Sequence, residues 1–217
     1  MTNKLTSGLL RFCDVSKWQA DVNWAVTSTR LDFAYAKASQ ANFTDPQWVS
    51  NYLETKSLGF PLGMYHYYDN KVSWKVQADY FMSMYDKYPT GLLPALDLEK
   101  QTVNPKVADL LNFVADVMEH IGAHPIIYTS PSYIQQWFWN IPEMSQFPLW
   151  IANYATDPKN PLPAPRIPLP WFAMDWWGWQ FSADGNNQGK YYGSTGSLAI
   201  DLNVAWTLPI LDYVSNN

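Results

Sequence analysis

Two carboxylic acids, Asp97 and Glu99, end an apolar segment that begins at Leu92. Side chains two residues apart in a β-strand point to the same face, roughly 6.5 Å apart. A strand here would therefore direct both acids into one space. Two adjacent acids push each other's pKa values apart, and apolar neighbours raise the pKa of the less hydrated acid. One acid would stay ionised while the other kept its proton, and this combination suits cleavage of a glycosidic bond.

The Asp-x-Glu pattern alone is common, and a polar strand end that meets Lys100 and water is the simpler interpretation of it.

Composition narrows the possible classes of protein. The 217 residues, 47% of them hydrophobic, suffice for a single barrel-sized domain. A net charge of −5 disfavours a general nucleic-acid binder or a protein that binds anionic membranes. Cys13 is the only cysteine, which excludes an intrachain disulfide.

Short apolar segments alternate with helix-like segments over the first two thirds of the chain. Helix signals include a cap at Thr44 or Asp45 with Gly59 beyond the end, and a start at Asn104-Pro105 with a stop near Gly122. Further helices are predicted over 22–29, 74–88 and 132–139. Strands are predicted over 9–15, 33–38, 62–68, 92–98, 125–129, 149–153, 177–181 and 198–203. This pattern predicts the α/β class, as an irregular TIM-like barrel of about five βα units followed by three strands.

In such a barrel, polar residues at the carboxyl ends of the strands meet at one mouth. Asp14 and Asp201 could instead cap a turn or a helix, and the aromatic residues could be ordinary core. Four acids at strand ends nevertheless favour a shared site over four separate caps. The strand ends supply Asp14, Lys37, Tyr65, His66, Tyr67, Asp97, Glu99, Tyr128, Trp150, Gln180 and Asp201.

An ordered set of motifs covering nearly the whole chain resembles glycoside hydrolase family 25, the lysozymes of Chalaropsis type, which include many phage endolysins. One difference is Gln40, where the family often has an acid. The motifs are Asp14-Val15-Ser16-Lys17-Trp18-Gln19, Lys37-Ala38-Ser39, Asp45-Pro46 with Asn51, Gly63-Met64-Tyr65-His66-Tyr67, Ala95-Leu96-Asp97-Leu98-Glu99, Ile127-Tyr128-Thr129-Ser130, Leu149-Trp150-Ile151-Ala152-Asn153-Tyr154, Trp179-Gln180-Phe181-Ser182 and Ile200-Asp201-Leu202-Asn203.

The resemblance implies an N-acetylmuramidase that cleaves the β-1,4 bond between N-acetylmuramic acid and N-acetylglucosamine in peptidoglycan. It implies that Glu99 is the general acid, and that Asp97 orients the acetamido group of the sugar in a substrate-assisted route. Asp14 and Asp201 would tune the charge or hold the substrate. On this basis we expect Glu99 to keep its proton and Asp97 to be ionised. The substrate-binding residues would be Lys37, Tyr65, Tyr67, Tyr128, Trp150 and Gln180.

Two other functions stay open: a non-catalytic glycan-binding protein on the same scaffold, and a chitinase-like hydrolase. We expect no cofactor and no metal, because His120 and His124 flank a predicted helix end at Gly122 and a third ligand is missing. The expected partner is the peptidoglycan glycan strand, with neither nucleic acid binding nor membrane insertion. We expect a monomer whose residues 1–217 form one catalytic domain without a separate wall-binding domain.

The first ten residues contain no continuous apolar segment of the kind found in signal peptides. No later segment approaches the length of a membrane span. The expectation from sequence is therefore synthesis in a host cytoplasm and action on the cell wall after holin-type release.

Overall fold

Eight strands close into a barrel in a computed structural model, which describes residues 8–19, 21–99, 106–154, 165–172, 175–183, 185–196 and 199–211. A short strand, β3, forms a hairpin with β2 outside the closed ring. The strands are β1 Leu10–Val15, β2 Phe33–Gln40, β3 Phe43–Thr44, β4 Leu62–Tyr67, β5 Ala95–Asp97, β6 Ile126–Thr129, β7 Leu149–Ala152, β8 Trp176–Ser182 and β9 Asp201–Ala205.

The order around the barrel is β1, β9, β8, β7, β6, β5, β4 and β2, and β1 pairs with β2 to close the ring. Seven of these strands are parallel, whereas β9 runs antiparallel to both β1 and β8. The register pairs Asp14, near the end of β1, with Asp201, the first residue of β9. The prediction that Asp201 ends a strand is therefore wrong, although the reversed direction of β9 brings it to the same mouth.

Helices follow the first five parallel strands, and this confirms the predicted pattern of five βα units followed by three strands. Gly59 and Gly122 adopt φ angles of 64° and 67° at the ends of the second and fourth helices, a conformation that glycine adopts without strain. The expected helix start at Asn104-Pro105 lies outside the described residues. The helices are α1 Trp24–Thr27, α2 Trp48–Leu58, α3 Trp74–Lys87, α4 Val107–Ile121 and α5 Pro131–Tyr133, which continues as a π-helical turn over Ile134–Phe138.

The alternation of side chains along each strand places the polar residues. On β1, Phe12 packs inside the barrel while Cys13 packs between the barrel and the helices. Asp14 is the next inward position after Phe12, and Lys37 is the next inward position after Tyr35 on β2. Each inward series thus begins with core residues and ends with a polar residue at the mouth.

Gly63 on β4 makes room for the Tyr35 ring inside the barrel. A Cβ atom at Gly63 would lie about 2.3 Å from the nearest ring carbon of Tyr35. The Tyr35 hydroxyl donates a hydrogen bond to the Leu93 carbonyl at 2.7 Å, and the ring is fully buried. Glycine is therefore required at residue 63 for Tyr35 to fill the barrel floor.

Candidate active site

A pocket with a cavity volume of about 220 Å³ opens at the carboxyl ends of the parallel strands. All ten residues that the sequence assigned to catalysis or substrate binding line it. Their roles stay predictions. The lining residues are Asp14, Ser16, Trp18, Gln19, Lys37, Tyr65, Tyr67, Asp97, Glu99, Tyr128, Trp150, Tyr154, Gln180 and Asp201.

Sequence reasoning missed four of these residues as members of the site: Ser16, Trp18, Gln19 and Tyr154. All four belong to motifs that carry the family resemblance, so a signal was present. They lie one to four residues beyond a strand end, where inward and outward alternation no longer predicts direction.

Asp14 lies at the centre of a buried hydrogen-bond network. Its Oδ1 accepts hydrogen bonds from the side-chain amides of Gln180 at 2.9 Å and Asn203 at 2.8 Å. Burial nevertheless raises the pKa of Asp14 to about 6, because the two amide donors offset only part of the desolvation. Asn203, which sequence reasoning did not assign to the site, therefore positions an acid of the pocket.

Aromatic residues extend this network around the wall. The hydroxyls of Tyr128 and Tyr154 both donate to Gln180 Oε1, at 2.8 and 2.9 Å. The Trp150 indole N–H donates to Asn203 Oδ1 at 2.8 Å. The orientation of both amide side chains is therefore fixed, and each directs its NH₂ group at Asp14.

Asp97 and Glu99 differ sharply in their environment. Asp97 ends β5 with only 6% of its surface exposed, whereas Glu99 lies two residues further on and is exposed. Burial raises the pKa of Asp97 well above its usual range, and the nearby charges of Glu99 and Asp14 raise it further, while Lys37 partly opposes them. The expectation of a low pKa for Asp97 is thus wrong for the ligand-free protein, because burial desolvates its carboxyl group.

One oxygen of Asp97 has no hydrogen-bond partner among the described residues. This atom, Oδ1, is fully buried within the protein. A buried acceptor without a donor is costly in a folded protein. Asp97 therefore carries an uncompensated acceptor beside the pocket that its residue lines.

Lys37 is a buried cation on the β2 side of the pocket. Its amine lies 3.7 Å from Asp45 Oδ2 and donates to Gln40 Oε1 at 3.3 Å. Burial lowers the pKa of Lys37, and the neighbouring Asp45 partly restores it. Gln40, where the family often has an acid, therefore contacts Lys37 as a neutral acceptor, and this leaves Asp45 as the paired carboxylate.

His66 does not belong to the pocket, although the sequence placed it among the strand-end residues. It alternates with Tyr65 and Tyr67 on β4, so its ring faces the helix layer and is fully buried. The ring nitrogens contact Ser39 Oγ at 2.9 Å and Gln77 Oε1 at 3.3 Å. Burial lowers the pKa of His66 to about 4, so the ring is neutral at physiological pH.

Within the described ranges, no group of three or more His, Cys, Asp or Glu side chains is arranged to hold a metal ion. His120 and His124 contact different partners, the Asp86 carboxylate and the Gln146 carbonyl. No helix among the described residues is long and apolar enough to cross a membrane.

The barrel with four acids at its mouth is the architecture of a glycoside hydrolase. The model of the glycosyl hydrolases family 25 matches residues 13–190, so the chain belongs to this family. The resemblance found in the motifs is thereby confirmed.

Individual relatives agree with this assignment. The Escherichia coli K12 protein YegX is 29% identical over 192 residues, which cover 81% of this chain and 64% of that protein. The chain thus spans less than two thirds of that relative. The N,O-diacetylmuramidase of Arthroderma benhamiae is 26% identical over 170 residues, covering 71% of this chain and 72% of that protein. The lysozyme from Streptomyces coelicolor superposes with a TM-score of 0.74 at 25% identity, covering 93% of this chain and 95% of that one.

Proposed function

We propose that this protein is an N-acetylmuramidase that hydrolyses the β-1,4 bond between N-acetylmuramic acid and N-acetylglucosamine in peptidoglycan. The observation that carries the proposal is the pairing of a buried acid, Asp97, with an exposed acid, Glu99, at the base of an open pocket. Membership of the family and the similarity to a muramidase and a lysozyme support the same substrate.

In the proposed reaction, Glu99 donates a proton to the oxygen of the leaving sugar. The acetamido oxygen of the N-acetylmuramic acid attacks the anomeric carbon of that same sugar as the glycosidic bond breaks. This forms a cyclic oxazolinium ion. Glu99, now a carboxylate, then removes a proton from water, which attacks the anomeric carbon and reopens the ring. The configuration is retained because two displacements occur at one carbon.

The raised pKa of Asp97 in the free protein fits these reaction steps if glycan binding moves one proton from Asp97 to Glu99. An acetamido N–H that donates to the part of the Asp97 carboxylate facing the pocket favours the ionised form. The same glycan covers Glu99 and reduces its hydration, which favours its protonated form. The bound pair would then hold its proton on Glu99, where the leaving oxygen needs it.

The first test replaces Glu99 with Gln, which keeps the shape of the side chain but removes the proton donor. We expect Glu99→Gln to lose at least about 100-fold in turnover on purified cell walls, with an unchanged circular dichroism spectrum. Glu143→Gln, an exposed acid outside the pocket, is the matched control and should keep full activity. Undiminished release of reducing sugars by Glu99→Gln would remove Glu99 from the mechanism.

The same assay separates the two alternative functions. A glycan-binding protein would bind cell walls saturably without releasing new reducing ends. A chitinase-like enzyme would cleave unsubstituted N-acetylglucosamine oligomers at rates comparable with those on peptidoglycan. The non-catalytic alternative does not explain why a desolvated acid is kept beside a second acid in the pocket, whereas a chitinase-like enzyme is distinguished only by its substrate.

The proposal extends to how the protein works in its setting. We propose that one copy acts as a monomer on the wall, and that it reaches the wall through a holin-type membrane lesion. The monomer is checked by sedimentation in the presence of the glycan. Delivery is checked by comparing lysis of intact cells with and without a co-expressed holin, where lysis without any membrane lesion would contradict this route.

A further inference from the structure

Trp18 lies at the rim of the pocket with 74% of its surface exposed. Burying an indole normally stabilises a fold, so an exposed indole contributes little to the stability of this one. At the edge of the pocket, this exposed indole offers a flat apolar face and an N–H donor to a bound ligand. The ring of Trp18 is therefore a candidate contact for part of the substrate outside the acid pair.

The turn that carries Trp18 is fixed at three points. The backbone N–H of Lys17 donates to Asp45 Oδ2 at 3.2 Å, and this carboxylate is almost fully buried. The side chain of Gln19 accepts a hydrogen bond from the Ser16 N–H at 2.9 Å and donates to Asp201 Oδ2 at 3.4 Å. The turn is thus tied both to the loop before α2 and to the start of β9.

The ring itself is also oriented. The Lys17 amine lies 4.9 Å from the centroid of the Trp18 ring, within the range of a cation–π interaction. Because three quarters of the side chain stays exposed, ring surface remains open beside the pocket. A preorganised aromatic surface binds a ligand at a smaller entropic cost than a mobile one.

The strand order places Trp18 away from the reacting acids. Trp18 follows β1, and β1 is separated from β5, which carries Asp97, by β2 and β4. Neighbouring strands are about 4.8 Å apart, so three steps along the wall correspond to roughly 14 Å. This distance exceeds the span of a single pyranose ring.

We infer that Trp18 is a stacking platform for a sugar that lies beyond the two sugars joined by the scissile bond. The inference rests on the proposed function and defines the substrate more closely, as a glycan strand rather than a short fragment. Pyranose rings offer an apolar C–H face that packs on aromatic rings, and Trp has the largest such ring. Trp18 would therefore add affinity only when the chain is long enough to reach it.

The test compares peptidoglycan-derived oligosaccharides of increasing length as substrates for the wild type, Trp18→Ala and Trp18→Phe. We expect the wild type to gain in kcat/KM from the shortest cleaved oligomer to the longest. In Trp18→Ala this gain should be about five- to tenfold smaller, because KM for the long oligomers rises. Trp18→Phe should recover part of the gain. Trp139→Ala, which removes an indole 63% exposed and outside the pocket, is the matched control and should keep the wild-type gain.

A binding experiment separates this inference from the proposed catalytic function. Glu99→Gln and the double variant Glu99→Gln/Trp18→Ala are titrated with the longest oligomer, and the double variant should bind about five- to tenfold more weakly. Equal affinities of Glu99→Gln and the double variant would overturn the role of Trp18. An equal loss of kcat/KM in Trp18→Ala at every oligomer length would overturn it as well. Failure of the wild type to cleave any oligomer would instead contradict the muramidase proposal, and the binding titration would still decide on Trp18.

Discussion

At the scale of single residues, the site keeps an acid where the fold alone would not favour one. Asp97 is buried, its Oδ1 has no donor among the described residues, and charges of the same sign lie nearby. Such a residue lowers the stability of the free protein in exchange for chemistry with a bound ligand, as is common at functional sites. The sequence indicated that the pair would differ in protonation. It could not indicate which acid is buried, because Glu99 lies past the strand end.

Replacing Asp97 with Asn should stabilise the free protein at neutral pH. A raised pKa in the folded state means that the folded protein holds a proton that the unfolded chain releases, so this group lowers stability as pH rises above about 4. We expect Asp97→Asn to increase the free energy of unfolding by about 1 to 3 kcal/mol at pH 7, with a smaller gain at pH 4. Urea unfolding at the two pH values measures this difference. A variant less stable than the wild type at pH 7 would contradict the burial argument.

At the scale of elements, most of the architecture follows from patterns that the sequence displays. Short apolar segments predicted strands β1, β2 and β5, and the position of Asp14, Lys37 and Asp97 at strand ends predicted that they share one mouth. The direction of β9 was not predictable in this way, because side-chain alternation looks the same in both chain directions. The sequence analysis therefore placed Asp201 at the correct mouth of the barrel, but at the end of its strand and not at the start.

The fit between Gly63 and Tyr35 gives a stability prediction for two neighbouring strands. A methyl group at residue 63 would overlap the buried Tyr35 ring, which its hydrogen bond to Leu93 holds in place. We expect Gly63→Ala to lower the free energy of unfolding by about 1 to 3 kcal/mol, as overpacking of a core does.

Gly178→Ala on β8 is the matched control for this variant. Its added Cβ would lie no closer than 3.4 Å to its nearest neighbour, Trp150, which is ordinary van der Waals contact. Chemical denaturation of both variants measures the effect. Equal unfolding midpoints for Gly63→Ala and the wild type would show that Tyr35 can move aside without cost.

At the scale of the whole molecule, buried titratable groups set opposing pH dependences of stability. The pKa of His66 is lowered to about 4, so the unfolded chain binds the proton more readily below about pH 6.5 and stability falls with acidification. The pKa of Asp14 is raised to about 6, so its effect on stability has the opposite sign between about pH 4 and pH 6. The two groups lie on different faces of the barrel wall and titrate over overlapping ranges.

Replacing His66 with Gln should make the protein less sensitive to acid. The wild type should lose up to about 3 kcal/mol through His66 between pH 7 and pH 4, a loss that a neutral amide does not share. The variant is expected to be less stable than the wild type at pH 7 because ring packing is lost, and the difference should shrink or reverse near pH 4. Thermal unfolding across this range measures it, and parallel pH profiles for the two proteins would contradict the account.

Mass spectrometry of peptidoglycan digested by the wild-type protein identifies which glycosidic bond is cleaved. Cleavage of the bond proposed here leaves N-acetylmuramic acid at every new reducing end, and borohydride reduction before analysis labels that sugar. We expect reduced N-acetylmuramic acid in the products of the wild type and none in those of Glu99→Gln. Products that carry reduced N-acetylglucosamine, or no reduced sugar at all, would contradict this expectation.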